Sequence, residues 1–201
     1  KGEISAEIWT KLGQLDYAAE IAQVRAAKPE AMYIFLPGGM GVNFIKQYNQ
    51  SGLNKEIPLF MSGFSADEDM IRAIGEPLVG LYNSSQWNKD IANEQNKRFV
   101  ADFRKDYGRM PSLYASQGYD AGALIDAAVR EVKGKIEDKD ALRKALRAAN
   151  FKSVRGMFKF NNNQFPVQSV YLRQVVKEAD GKIGNKIIAP IWENHGDAYA
   201  G

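Results

Sequence analysis

Tyr33-Ile34-Phe35-Leu36-Pro37-Gly38-Gly39-Met40 runs straight into Gly41-Val42-Asn43-Phe44-Ile45-Lys46-Gln47-Tyr48. An apolar strand meets a Pro-Gly-Gly turn, and a helix begins at once. In an open α/β sheet such a turn lies at the carboxyl edge of a strand, where these folds bind ligands. Its glycines permit close backbone approach and leave neighbouring amides uncovered. The chain is therefore read as one that holds a small molecule. A phosphate cradle and a purely structural turn are the other readings of two glycines after a proline.

The surrounding pattern extends the α/β reading. Ile4, Ala6 and Ile8 alternate with charged and polar residues, the period of a half-buried strand over Ile4 to Thr10. Asp16 is placed to cap a helix over Tyr17 to Ala27, with Tyr17, Ile21 and Val24 as its stripe. Ala31 to Leu36 is apolar throughout, as expected for a parallel strand covered on both faces. Val42, Phe44, Ile45 and Tyr48 outline the next helix, which Gly52 stops. Ile57 to Met61 is a further strand, ending in Ser62-Gly63-Phe64-Ser65. Asp67, Glu68 and Asp69 then read as a solvated helix start, where the macrodipole favours acids. Val79 to Ser84 is the next strand, and the alternation argues for a parallel α/β domain.

The alternation then breaks. Asn83 to Asp90 is polar, and helices follow in a row over Asn93 to Tyr107, Ser112 to Val132 and Lys139 to Ala149. The first of these buries Phe99, Val100, Phe103 and Tyr107, and the second has Tyr114, Gln117, Ala121, Leu124, Ile125, Ala128 and Val132 as its stripe. No strand separates them, so they form a helical subdomain or pack on a sheet supplied from outside the sequence. An N-terminal portion is expected to be missing, because strand-like sequence starts almost at Lys1. Gly156 to Phe160, Val167 to Val176 and Lys186 to Trp192 read as antiparallel strands, with turns at Asn161-Asn162-Asn163-Gln164 and Gly181.

Composition narrows the chemistry. There is no cysteine, which excludes thiol catalysis and cysteine metal sites, and a single histidine excludes a multi-histidine site. That histidine, His195, reads as a loop residue. The 27 basic and 24 acidic residues are dispersed, giving a net charge of +3 and no argument for nucleic acid. No Gly-x-Ser-x-Gly elbow, Walker loop or dinucleotide fingerprint is present, so neither catalysis nor a cofactor is expected. No apolar run approaches the roughly 18 residues needed to cross a membrane.

Candidate ligand contacts follow from the strand ends. Gly38 and Gly39 face the carboxyl edge, and Ser62 ends the neighbouring strand. Met40 and Phe64 serve either as core or, together, as an apolar wall. Trp87 is packed beneath the connecting segment or exposed to a cleft, and its polar setting favours the cleft.

These residues carry a family resemblance over essentially the whole chain. Leu36-Pro37-Gly38-Gly39, Phe44-Ile45-Lys46-Gln47-Tyr48, Pro111-Ser112-Leu113-Tyr114-Ala115-Ser116-Gln117-Gly118-Tyr119-Asp120-Ala121 and Arg155-Gly156-Met157-Phe158-Lys159-Phe160 stand in an order and spacing that resembles the type I periplasmic binding proteins. These are the solute-binding proteins of ABC importers of the branched-chain amino acid and aromatic acid type. The resemblance implies two α/β lobes joined by crossover strands, with lobe one incomplete here and the chain a C-terminal part of the fold. Residues 1–86 and 168–201 would be lobe two, without its first strand and helix, and 87–167 the returning part of lobe one. It further implies a periplasmic protein whose precursor carries a signal peptide. A small-molecule ligand and an ABC permease in the membrane would be its partners.

Amino-acid binders of this family place an acidic residue of lobe two against the ligand ammonium. The matching position here is Phe64. A buried ammonium without a carboxylate is costly, so an aromatic carboxylate of benzoate or phenylpropanoid type is the expected ligand, clamped by hinge closure. Tyr114 and Gln117, one helical turn apart, serve either as lobe-one ligand contacts or as plain helix packing. A branched-chain amino acid or amide binder, and a sensory ligand-binding domain, are the alternative readings. The full-length protein is expected to be a monomer. If the helices over 93–149 lack their sheet, their outer faces are apolar and this chain self-associates. Light scattering of the 201-residue chain then gives a mass above that of the monomer, and a strict monomer with ordered helices contradicts the missing-lobe reading.

Overall fold

Strands form on either side of the Pro-Gly-Gly turn's helix, in the order that the apolar runs predict. They are β1 (Met32–Ile34), β2 (Leu59–Ser62) and β3 (Tyr82–Ser85), paired in parallel with Met32 opposite Leu59 and Phe60 opposite Tyr82. The structure is a computed structural model that describes residues 2–200. It divides into two units, one comprising residues up to Ser85 with Arg173–Lys186, the other Gln86–Leu172 with the residues from Ile187.

In the first unit, α1 (Ala18–Ala27), α2 (Gly39–Gln50) and α3 (Glu68–Ile74) accompany the sheet. Asp16 accepts the Ala18 N–H at 3.0 Å, but it stands one residue before the N-cap, Tyr17, which has no side-chain cap, so the expected capping by Asp16 is replaced by a bond from the preceding turn. Tyr17, Ile21 and Val24 of the first helix pack in one cluster with Phe44, Ile45 and Tyr48 of the second. Ile34, Leu59 and Met61 of the strands complete it. Tyr48 donates its hydroxyl to the Ile57 carbonyl at 2.6 Å, and burial pushes its pKa up, so the phenol stays protonated as a donor.

Burial of β1 is one-sided, against the expectation of two covered faces. Ile34 is 7% exposed, whereas Tyr33 and Phe35 are 64% and 59% exposed. Phe60 and Tyr82 stack on that same outer face with ring centroids 5.9 Å apart. Successive strand residues point to opposite faces, and no described element covers the second one. The expected strand over Ile4 to Thr10 does not form either. That segment has no regular secondary structure, and Ile4 and Trp9 are largely exposed, while Ile8 packs against the core.

The second unit holds α4 (Glu94–Tyr107), α5 (Leu113–Glu131) and α6 (Lys139–Ala148). Asn93, Ser112 and Asp138 cap them by accepting the N–H of Asn96, Ala115 and Ala141. Tyr107 of the first of these helices is exposed rather than buried. The buried face of α5 is rotated from the predicted stripe. Ala128 is buried as expected, but Leu113, Ser116 and Asp120 are inside as well, while Tyr114 and Ile125 are exposed. The reason is electrostatic. Asp120 accepts the Ser153 hydroxyl at 2.6 Å, the Val154 N–H at 3.0 Å and the Arg155 Nε at 2.9 Å, and so turns its helix toward that loop. Arg155 also donates to Gln168 and lies over the Phe158 ring.

β4 (Lys159–Phe160), β5 (Pro166–Lys177) and β6 (Ile183–His195) close the chain, giving the strand order β1-β2-β3-β5-β4 with β6 on β5. The expected division assigned 168–201 wholly to lobe two. In the structure β5 through Leu172 and the tail from Ile187 fall with the second unit. Hydrogen bonds explain this: Asp90 accepts the Ile187 N–H, Ser169 accepts the Asn194 N–H, and Asp197 accepts from the Asn163 amide. His195 ends β6 rather than lying in a loop, stacked on Trp192.

Asp120→Ala leaves the nearly buried Arg155 guanidinium without its carboxylate. Urea unfolding of the second unit is expected to show a loss of about 3 kcal/mol or more. A change under about 1 kcal/mol would contradict the structural role given to the pair.

Candidate functional site

The carboxyl ends of β1 and β2 are held together by one serine. Ser65 Oγ accepts the Leu36 N–H at 3.0 Å and donates to the Leu36 carbonyl at 3.1 Å. Leu36 lies just past β1, and Ser65 closes the short 3-10 turn Gly63–Ser65 that follows β2. Both strand ends therefore present their loops from one fixed edge.

On that edge Phe35 and Phe64 meet edge-to-face with ring centroids 5.7 Å apart. Phe64 is half-buried and Phe35 exposed, so the pair offers an aromatic surface anchored at one side. Sequence reasoning singled out Phe64 and missed Phe35. The signal was its strand phase, opposite to buried Ile34 and Leu36.

Gly38 and Gly39 lie beside this pair in sequence and are exposed. Gly38 has φ of 60°, the left-handed region that a side chain resists, and it starts α2. No side chain caps that helix, and its first turn contains no acid. Its end thus favours a negative group. Met40 is half-buried on the first core, its sulfur 3.5 Å from the Gly13 N–H. The glycine demanded by packing is Gly41, where an added Cβ would stand 2.1 Å from the Leu36 carbonyl oxygen.

The remaining candidates are placed differently. Ser62 is buried, its hydroxyl 3.4 Å from that of Ser65, so it supports the turn rather than facing a ligand. Trp87 is 1% exposed and donates its indole N–H to Asn96 at 2.8 Å. It packs against Phe99 in the second unit, which corrects the cleft reading: a buried indole needs a hydrogen-bond partner, and Asn96 supplies it. Tyr114 is exposed on α5, whereas Gln117 is partly buried on the side of that helix that carries Leu113 and Asp120. Asp67 and Glu68, expected at a solvated helix start, are 1% and 8% exposed. Only Asp69 follows the expectation, paired with Arg72. Among the described residues no group of His, Asp or Glu is arranged to hold a metal, and no helix is long and apolar enough to cross a membrane.

The family model described as "Periplasmic binding protein" matches residues 1–182. The chain belongs to this family. It is 29% identical over 201 residues to the Leu/Ile/Val-binding protein homolog 6 of Brucella melitensis, covering 98% of this chain and 51% of that protein. The chain thus spans about half the length of the curated relatives it matches. A solute-binding protein of an ABC transporter from R. palustris, solved with benzoate, superposes with a TM-score of 0.83 at 34% identity over 94% of this chain and 51% of that one. Another, from Rhodopseudomonas palustris BisB5 with 3,4-dihydroxy benzoic acid, gives 0.81 at 31% identity over 91% and 50%. The leucine-binding protein LivK of Thermotoga maritima shares the fold, with a TM-score of 0.76 at 23% identity over 90% and 51%. These relatives are binding proteins and not enzymes, in line with a sequence that carries no catalytic motif.

Gly41→Ala is expected to destabilise the first unit by about 2 kcal/mol or more, since its Cβ has nowhere to go. Gly39→Ala, with nothing within 4 Å of an added Cβ, leaves stability unchanged or slightly higher. Thermal unfolding of both variants checks the pair, and equal effects would contradict the close approach at Gly41.

Proposed function

We propose that the natural protein carrying this chain is the extracytoplasmic solute-binding component of an ABC importer, and that it takes a small aromatic carboxylate. The observation that carries this reading is the Phe35–Phe64 pair, with an uncapped helix start that has no acid in its first turn following Phe35 closely in sequence. Aromatic rings supply area and edge-to-face packing for a ring, and the helix end favours a carboxylate over an ammonium. The relatives solved with benzoate and 3,4-dihydroxy benzoic acid support the same ligand class.

Gly38, Gly39, Met40, Phe35 and Phe64 are the proposed contacts from the first unit. Tyr114 and Gln117 are proposed from the second. Ser62 and Trp87 are left out because both are buried. The two units correspond in this reading to the lobes of the family. Ligand favours the closed arrangement, and that arrangement engages a permease. No bond is made or broken.

A second reading, a branched-chain amino acid binder, is favoured by the Leu/Ile/Val-binding homologues. Isothermal titration of the natural full-length protein separates the two. Binding of 4-hydroxybenzoate with no heat from leucine is expected, and Phe64→Ala weakens that binding about tenfold through the lost ring contact. Tight leucine binding with no response to aromatic acids would overturn the proposal.

A further inference from the structure

Serines cluster at the carboxyl ends of β2 and β3, and most of them are engaged or buried. Ser65 holds both backbone groups of Leu36, and the Ser62 hydroxyl lies 3.4 Å from that of Ser65. Ser85 is 4% exposed. Ser84 of β3 differs. It is half-buried, and its hydroxyl has no hydrogen-bond partner among the described residues.

The position of Ser84 follows from strand register. Phe60 lies opposite Tyr82, Ser62 opposite Ser84, and Ile34 opposite Met61. Side chains alternate between the two faces of a sheet, so Ser84 shares the outer face with Tyr82, away from buried Asn83 and Ser85. Phe35, the residue after β1, is level with Ser62 on that same face. Phe35, Ser62 and Ser84 thus form one row across the carboxyl edge. The turn that carries Phe64 is pressed against the β3 end of this row. A Cβ added at Gly63 would stand 2.8 Å from the Ser84 carbonyl oxygen and 2.9 Å from Ser85 Cβ. The aromatic pair and the Ser84 hydroxyl are therefore fixed on one edge.

The row has chemically different ends. On the β1 side the chain runs into α2, whose first turn contains no acid and which takes the carboxylate in the reading above. On the β3 side stands a hydroxyl with its donor and acceptors available. With β2 between them, the two sides lie two strand spacings apart, about 9–10 Å. A ring resting on Phe35 and Phe64 with its carboxylate toward α2 turns its opposite edge to Ser84.

We infer that Ser84 is a specificity-determining residue that reads a hydroxyl on the ring edge opposite the carboxylate. The inference rests on the aromatic-carboxylate reading and narrows it to acids hydroxylated at that edge. Covering Ser84 with a bare ring edge strips water from its hydroxyl and returns no hydrogen bond. A phenol both donates and accepts, so it replaces that water. A site that bonds a ligand hydroxyl rejects the analogue lacking it, because its own polar group is then left unpaired.

Isothermal titration with 4-hydroxybenzoate and benzoate tests this on the natural full-length protein and its Ser84→Ala and Ser84→Thr variants. The natural protein should prefer 4-hydroxybenzoate by about tenfold or more. Ser84→Ala should weaken 4-hydroxybenzoate about tenfold and bring the two acids within about twofold of each other. Ser84→Thr keeps the hydroxyl and should keep the preference. Equal or tighter binding of benzoate by the natural protein overturns the inference whether or not a variant folds. So does a Ser84→Ala variant that weakens both acids equally, the mark of a structural role, or that changes neither. In each of these cases the aromatic reading stands. A natural protein that binds leucine and neither aromatic acid overturns the reading and the inference together.

Discussion

The hydroxyl of Ser65 takes the Leu36 N–H and returns its own proton to the Leu36 carbonyl. Leu36 has left the ladder of β1 by that point, and its peptide groups are buried away from water. Unpaired, each would cost about 1–3 kcal/mol. By satisfying both, one side chain fixes the exit of β1 against the turn after β2. Phe35 and Phe64 flank the two bonded residues, so their edge-to-face contact is a consequence of that tie. The tight entry into α2, with Gly41 pressed on the Leu36 carbonyl, is held at the same place.

Much of this was legible in the sequence because it depends on local chemistry. Apolar runs followed by glycine turns located β1, β2 and the helix starts, and Asp16 and Gly52 marked helix boundaries. Several of the misses come from polar pairing between side chains that periodicity does not register. The phase of α5 depends on Asp120 meeting Arg155, thirty-five residues away. Asp67 and Glu68 look like surface acids until strand β6 places Asn185 beside Glu68. Trp87 stands in a polar segment, yet Asn96 draws its indole N–H inward. The Ile4 to Thr10 alternation is real, but a strand also needs a neighbour, and sequence periodicity does not provide one.

The candidate site was half visible. Glycines and Phe64 were found from their positions after strands, whereas Phe35 was hidden within an apolar run read as covered on both faces. One-sided burial is what separates it from Ile34 and Leu36. The same asymmetry leaves Tyr33, Phe60 and Tyr82 as an aromatic row across β1, β2 and β3. Membership of the periplasmic binding protein family follows from a match over residues 1–182, while the ligand must be argued from the few side chains at the strand ends.

A co-crystal structure of the natural full-length protein with 4-hydroxybenzoate tests the central claim most directly. The account predicts the ligand ring within about 4 Å of both Phe35 and Phe64, with no carboxylate side chain of the first unit bonded to it. A ligand bound away from these two rings, or held by an acidic residue at the β2 turn, would contradict it.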